Sequence, residues 1–218
     1  MSHASDKSYA PEGIIPGEPT WDVTRLFPTQ GNWSESEYLA LNTNQLVEFS
    51  HGFVEFLPMP KILHQRILKF LFNALQALVT AQNLGEVLFM GVRVQLWPGK
   101  FREPDVVFLR AEHTDRVTDD YWEGADLVIE VVSGSDDDRR RDLKTKRQEY
   151  ALAGIPEYWI VDPEFDQITV LTLEGLTYAV HGEFKRGEQA TSKLLSGFAV
   201  DVTSALAAGQ RNDGGSPR

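Results

Sequence analysis

Two strongly apolar segments of this chain each carry an acid. In Pro104-Asp105-Val106-Val107-Phe108-Leu109, Asp105 opens the run directly after a proline. In Ala125-Asp126-Leu127-Val128-Ile129-Glu130-Val131-Val132-Ser133, strand alternation puts Glu130 on one face with Val128 and Val132. A lone buried carboxylate costs several kcal/mol unless it is paired or binds a metal. Each acid alone has a bland explanation. Glu130 could end a strand or pair with a buried arginine such as Arg93, and an Asp after Pro is often a turn residue. Together, on adjacent strands, they offer two hard oxygen ligands of the kind that suit Mg²⁺.

A third group joins them. On a helix expected over about 140–153, Leu143, Lys146, Tyr150 and Ala153 share the core-facing stripe, so Lys146 stands where an apolar residue is expected. Its stem could also lie over the core with its ammonium in water. Lys144 points the other way, to solvent. His64 shares the apolar face of a long helix with Leu68 and Leu71, either as a core or rim histidine or as part of a site. Glu48 reads as an exposed strand residue or an extra metal ligand. The run 136–147 holds six basic residues, Arg139, Arg140, Arg141, Lys144, Lys146 and Arg147. Such a run is usually a solvated face, but this one leads from the Glu130 strand into the Lys146 helix and could touch phosphates.

These groups need elements to hold them. Ser34-Glu35-Ser36-Glu37 is a capping box, which predicts a short helix over 34–42. QLVEFSHGFVEFLP reads as strand, turn at His51-Gly52, and strand. A long helix fills about 61–83, with Leu68, Leu71, Leu75 and Leu78 on one face. VRVQLW and FREPDVVFL follow as a hairpin. The β-branched segment 125–133 suits a central strand covered on both faces. Strand, helix 140–153 ending at Gly154, and strand EYWIVDP imply a parallel pair. A hairpin around Glu174-Gly175 and FAVDVTSAL close an α/β domain with a mixed sheet.

Residues 1–24 read as a flexible arm, 25–207 as one domain and 208–218 as a disordered tail. The chain has no cysteine, which excludes disulfides, thiolate metal sites and thiol nucleophiles. The N-terminus lacks a basic-then-apolar signal pattern, and no apolar run approaches the roughly 18–20 residues of a membrane helix. A cytoplasmic location without membrane contact is the expectation. With 21 basic against 32 acidic residues the net charge is −11, which repels nucleic acid at long range. No phosphate-cradling glycine loop, G-x-S-x-G elbow or H-E-x-x-H is present.

The succession Glu48…Gly52, Met59-Pro60, His64, Pro104-Asp105-Val106, Leu127 to Ser133, Asp142, Lys146, Tyr150 and Gly154 to Pro163 resembles the Uma-two family of restriction-endonuclease-like domains, within the PD-(D/E)xK nuclease superfamily. The closing LLSGFAVDV is also similar to the family's pattern, and the likeness spans about 30–206. The resemblance implies a restriction-endonuclease-like fold: a four-stranded mixed central sheet flanked by helices, with added β-hairpins. It implies Asp105 and Glu130 as metal-binding acids, with the Val131 carbonyl as a further ligand of Mg²⁺, or of Mn²⁺ in its place. The superfamily's lysine normally follows the second acid by two residues, where this chain has Val132. Lys146 matches the family's K-x-x-x-Y position instead. Glu48, His64 and Ser133 are auxiliary candidates. Phe53 departs from the family, which often has Glu there, and Glu55 is a candidate to compensate. The implied activity is metal-dependent hydrolysis of DNA phosphodiesters, with a homodimer as a tendency. The competing expectation is a nuclease-fold module that binds nucleic acid or protein without catalysis.

Overall fold

A computed structural model describes residues 27–43, 45–133 and 139–210. The expected arm over 1–24 lies outside the described residues, as does the expected tail from 211 onward.

Helix α1 (Glu35–Leu39) starts at the predicted capping box, with Ser34 and Glu37 bonded to each other's backbone N–H groups. Strands β1 (Val47–Ser50) and β2 (Phe53–Phe56) form the predicted hairpin. His51 and Gly52 turn it at φ 45° and 88°, and a Cβ on Gly52 would strike the Gly31 carbonyl. Helix α2 (Ile62–Gln82) follows and ends where Asn83 turns left-handed. Next come β3 (Gly85–Phe89), β4 (Val94–Trp97), β5 (Lys100–Arg102), β6 (Val106–Arg110), β7 (Trp122–Glu123) and β8 (Leu127–Val131). A π-helical turn, Arg141–Lys146, runs into α3 (Arg147–Leu152). The chain closes with β9 (Glu157–Asp162), β10 (Gln167–Glu174), β11 (Thr177–Lys185), β12 (Gln189–Thr191), β13 (Ala199–Asp201) and α4 (Val202–Gly209). That last helix runs two residues past the expected domain end.

Six strands form the central mixed sheet, in the order β11-β10-β9-β8-β6-β3. Only β8 and β9 run parallel within it, as strand–helix–strand required. Its alternation is strict. Val106, Phe108, Leu127, Ile129, Trp159 and Val161 point to one face, under α2 and α4. Val107, Leu109, Val128, Tyr158 and Ile160 point to the other, under α3 and a second sheet ordered β2-β1-β5-β4-β7. Strand β8 is buried along its whole length, which explains its unbroken apolar run.

Two expectations are corrected. VRVQLW and FREPDVVFL do not make one hairpin. The chain breaks at Glu103-Pro104, so β5 pairs β4 in the second sheet while β6 joins the central one. Proline has no N–H to continue a ladder, and the switch of sheets falls there. The lysine helix is not α-helical throughout. Its π turn is wider and carries Leu143, expected inside, out to the surface. Asp142, four residues before Lys146, is buried on the inward face instead. Lys146 and Tyr150 keep the inward register predicted for them.

Candidate active site

The strand register positions the two acids. Val106 pairs Ile129 and Val107 pairs Val128, antiparallel. Extending that ladder by one residue sets Asp105 opposite Glu130, both on the face that carries Val107 and Val128. Asp105 is 9% exposed and Glu130 3%. Asp105 Oδ2 accepts the Val131 backbone N–H at 2.7 Å and lies 2.9 Å from His64 Nε2. Glu130 Oε1 accepts both the Lys146 ammonium and the Tyr150 hydroxyl, each at 2.7 Å. The Arg93 alternative does not occur. Arg93 donates to the Leu39 and Leu41 carbonyls and lies 3.7 Å from Glu103.

Lys146 is buried among three carboxylates: Glu130 at 2.7 Å, Asp142 at 3.3 Å and Glu48 at 3.8 Å. Burial alone would discharge its ammonium, but these acids outweigh it and hold the pKa above the usual range. Burial dominates at Glu130 and pushes its carboxyl up to about 7 despite Lys146, with Asp105 and Asp142 pushing the same way. Asp142 is also raised, chiefly by burial. At Glu48 burial acts in the same sense, yet Lys146, Arg102 and Arg141 prevail and hold it low. Burial disfavours charge on His64, but the bond to Asp105 overcomes this and raises its pKa.

Asp105, Glu130, Asp142, Lys146, His64 and Ser133 line one cavity of about 520 Å³. Arg139 and Arg141, from the basic run, also line it. Arg139 pairs with Asp162 and Glu164, and Arg141 reaches Glu55 at 3.4 Å. Arg147 donates to the Tyr178 carbonyl, and Lys144 is exposed. The run thus ties its helix to β2, β9 and β11 as well as edging the cavity. Phe53 is exposed on β2, and the Arg141 partner Glu55 shares its strand. Glu48 is buried, not exposed as its strand position suggested; it stands behind the cavity and is bonded to Arg102.

Sequence reasoning gave no role at the site to Asp142, Arg102, Glu149 and Lys100. Asp142, already part of the family resemblance, lies four residues before Lys146 and so on the same helix face, a spacing that could have flagged it. The other three meet only through tertiary structure.

The donor chemistry fits a hard cation. Two facing carboxylates and the adjoining Val131 carbonyl are oxygen donors, and Mg²⁺ is commonly held by one or two carboxylates, with water and substrate completing its shell. Among the described residues no three His, Cys, Asp or Glu side chains converge as a metal cage. His64 Nδ1 is buried without a hydrogen-bond partner among those residues, so the cavity wall holds one unsatisfied polar atom at His64, while Asp142 Oδ1 is ion-paired with Lys146 Nζ at 3.3 Å.

The mixed sheet thus brings paired acids beside a helix-borne lysine. Residues 33–203 match the Uma2 (Uma-two) family, described as "Putative restriction endonuclease", and the chain belongs to that family. Among solved structures, one titled as a "putative nuclease belonging to DUF820" from Anabaena variabilis ATCC 29413 superposes with a TM-score of 0.66 at 15% identity, covering 82% of this chain and 99% of that one. That likeness speaks to the fold. No curated protein matches significantly. Among the described residues no helix is long and apolar enough to cross a membrane.

Proposed function

We propose that this chain is a metal-dependent endonuclease that hydrolyses DNA phosphodiester bonds. The observation that carries this reading is the meeting of Asp105 and Glu130 on one sheet face, with Lys146 Nζ 2.7 Å from Glu130, inside a cavity. Asp105, Glu130 and the Val131 carbonyl would hold Mg²⁺, or Mn²⁺ in its place. A divalent cation there supplies charge neutralisation at the phosphoryl oxygens and acidifies water.

The chain's own residues do the rest. Glu130 must be ionised to ligate, so the site becomes competent as pH rises through about 7. The Val131 N–H and His64 fix the Asp105 carboxylate in place. Lys146 stays protonated and brings a fixed positive charge to the place where negative charge builds during attack on phosphorus. Arg139 and Arg141 at the cavity wall offer local attraction to neighbouring phosphates against the overall −11. The catalytic domain spans about 25–207, and cutting both strands of a duplex suits a symmetric homodimer.

The test is supercoiled plasmid incubated with Mg²⁺ or Mn²⁺. Wild type should nick it, and Glu130→Ala and Lys146→Ala should not. Nicking that persists in Glu130→Ala overturns the assignment. One observation favours a second reading, a silent nuclease-fold module that binds nucleic acid or protein. Lys146 and Tyr150 already satisfy Glu130 Oε1, so the acid is compensated without a cation. Calorimetric titration separates the two, because a silent module has no need to bind Mn²⁺ at these acids.

A further inference from the structure

Behind the cavity, on the side of the second sheet, lies a buried ion cluster that the chemistry above does not use. Arg102, on β5, donates through Nη1 to Glu48 Oε2. Its other edge is bidentate to Glu149 on α3, with Nε at 2.7 Å and Nη2 at 3.0 Å. Lys100 Nζ is 2.7 Å from the same Glu149. Glu48 has a second oxygen, Oε1, and it faces Lys146 Nζ at 3.8 Å.

Lys146 therefore stands among rival carboxylates, Glu130 at 2.7 Å, Asp142 at 3.3 Å and Glu48 at 3.8 Å. The acids and the lysine are almost fully buried. Ion-pair energies there are larger than in water, so a small displacement decides which acid the ammonium serves. A Glu48 deprived of Arg102 would draw Lys146 more strongly toward itself, because a buried charge short of compensation is strongly unfavourable. Arg102 removes that demand. It also fastens α3, the helix that continues from Lys146, through Glu149.

We propose that Arg102 is a positioning residue that keeps Lys146 on Glu130 by neutralising Glu48. The catalytic consequence rests on the proposed nuclease function, but the placement of Lys146 does not. The second sheet then has a part in the site, because β1 supplies Glu48 and β5 supplies Arg102.

The experiment compares wild type, Arg102→Met and the double variant Arg102→Met/Glu48→Gln. It reads kcat and KM for Mg²⁺-dependent plasmid cleavage, together with crystal structures of the two variants. In Arg102→Met, kcat should fall about a hundredfold, the scale of losing one preorganised donor. KM should hold within about twofold, because substrate contacts are untouched. The crystal structure should show Lys146 Nζ nearer Glu48 than Glu130. Removing the Glu48 charge as well should return Lys146 to Glu130 and recover at least about tenfold of kcat. A merely structural arginine would not be rescued in this way. The proposal is overturned if Lys146 still bonds Glu130 in Arg102→Met, or if the double variant is no more active than the single one. If Arg102→Met does not fold, Arg102→Gln, which also lacks the charge, carries the same comparison. If wild type cleaves nothing, the function fails, and the crystallographic distances still decide where Arg102 sends Lys146.

Discussion

Glu130 and Glu157 are buried acids on neighbouring strands, and their surroundings differ in kind. Glu157 opens β9 and is fully buried. Its Oε1 accepts the Trp159 indole N–H and the Ser192 hydroxyl, both at 2.6 Å. Its Oε2 accepts the backbone N–H groups of Lys193 and Leu194 at 2.7 Å. Every one of these donors is neutral, and the result is a fastening between β9 and the loop before β13. Glu130 lies on the opposite face of the sheet. It has an ammonium and a phenol on one oxygen, two further acids acting on it, and a cavity beside it. A satisfied buried acid holds a fold together. A buried acid crowded by like charges holds free energy that a cation can release, and such groups gather at functional sites.

The largest expected effect is on activity at the crowded acid. Glu130→Ala or Asp105→Ala should reduce Mg²⁺-dependent cleavage by at least about a thousandfold, or about 4 kcal/mol of transition-state stabilisation. The far-UV spectrum should stay native. Glu157→Ala should do the reverse. It strands four donors and should destabilise the fold by about 3 kcal/mol in urea melts, while the folded fraction keeps its specific activity. Equal loss of specific activity in both variants would erase the distinction.

The pH dependence sharpens it. The Glu130 carboxyl is raised from 4.5 to about 7 in the fold, so the folded state binds its proton more tightly than the unfolded chain. Its contribution to metal-free stability is full below about 4.5 and is lost as pH rises through about 7. Activity should run the other way and climb through about 7. Urea melts and initial rates across pH 5 to 8 check both slopes, and saturating Mg²⁺ should flatten the loss of stability. The smallest effect is expected from Tyr150→Phe. It removes one of two donors to Glu130 Oε1, worth about 1 kcal/mol, and should cost less than about tenfold in rate in the same plasmid assay.

Local pattern carried much of the fold. The periodicity of 61–83 located α2 to within a residue at each end, and the apolar run of 125–133 located the central strand. Alternation also put Glu130 on its true face, and helical spacing turned Lys146 inward. What stayed hidden depends on geometry that sequence spacing does not encode. An α-helical period cannot anticipate a π turn, so it turns Leu143 inward where the structure exposes it. Pro104 marks a break between β5 and β6 in the sequence, but which sheet each strand then joins is decided by pairing with distant strands. Arg102 meets Glu48 and Glu149 across 54 and 47 residues of chain, and Glu157 meets its loop donors across 35 to 37. Arg102 and Glu149, taken alone, read as ordinary polar residues.

The most direct measurement of the central claim is calorimetric titration of Mn²⁺ into wild type, Glu130→Gln and Glu157→Gln at pH 8, where the Glu130 carboxyl is ionised. Wild type and Glu157→Gln should bind the ion with matching heats, and Glu130→Gln should bind none. Undiminished binding by Glu130→Gln would contradict the account.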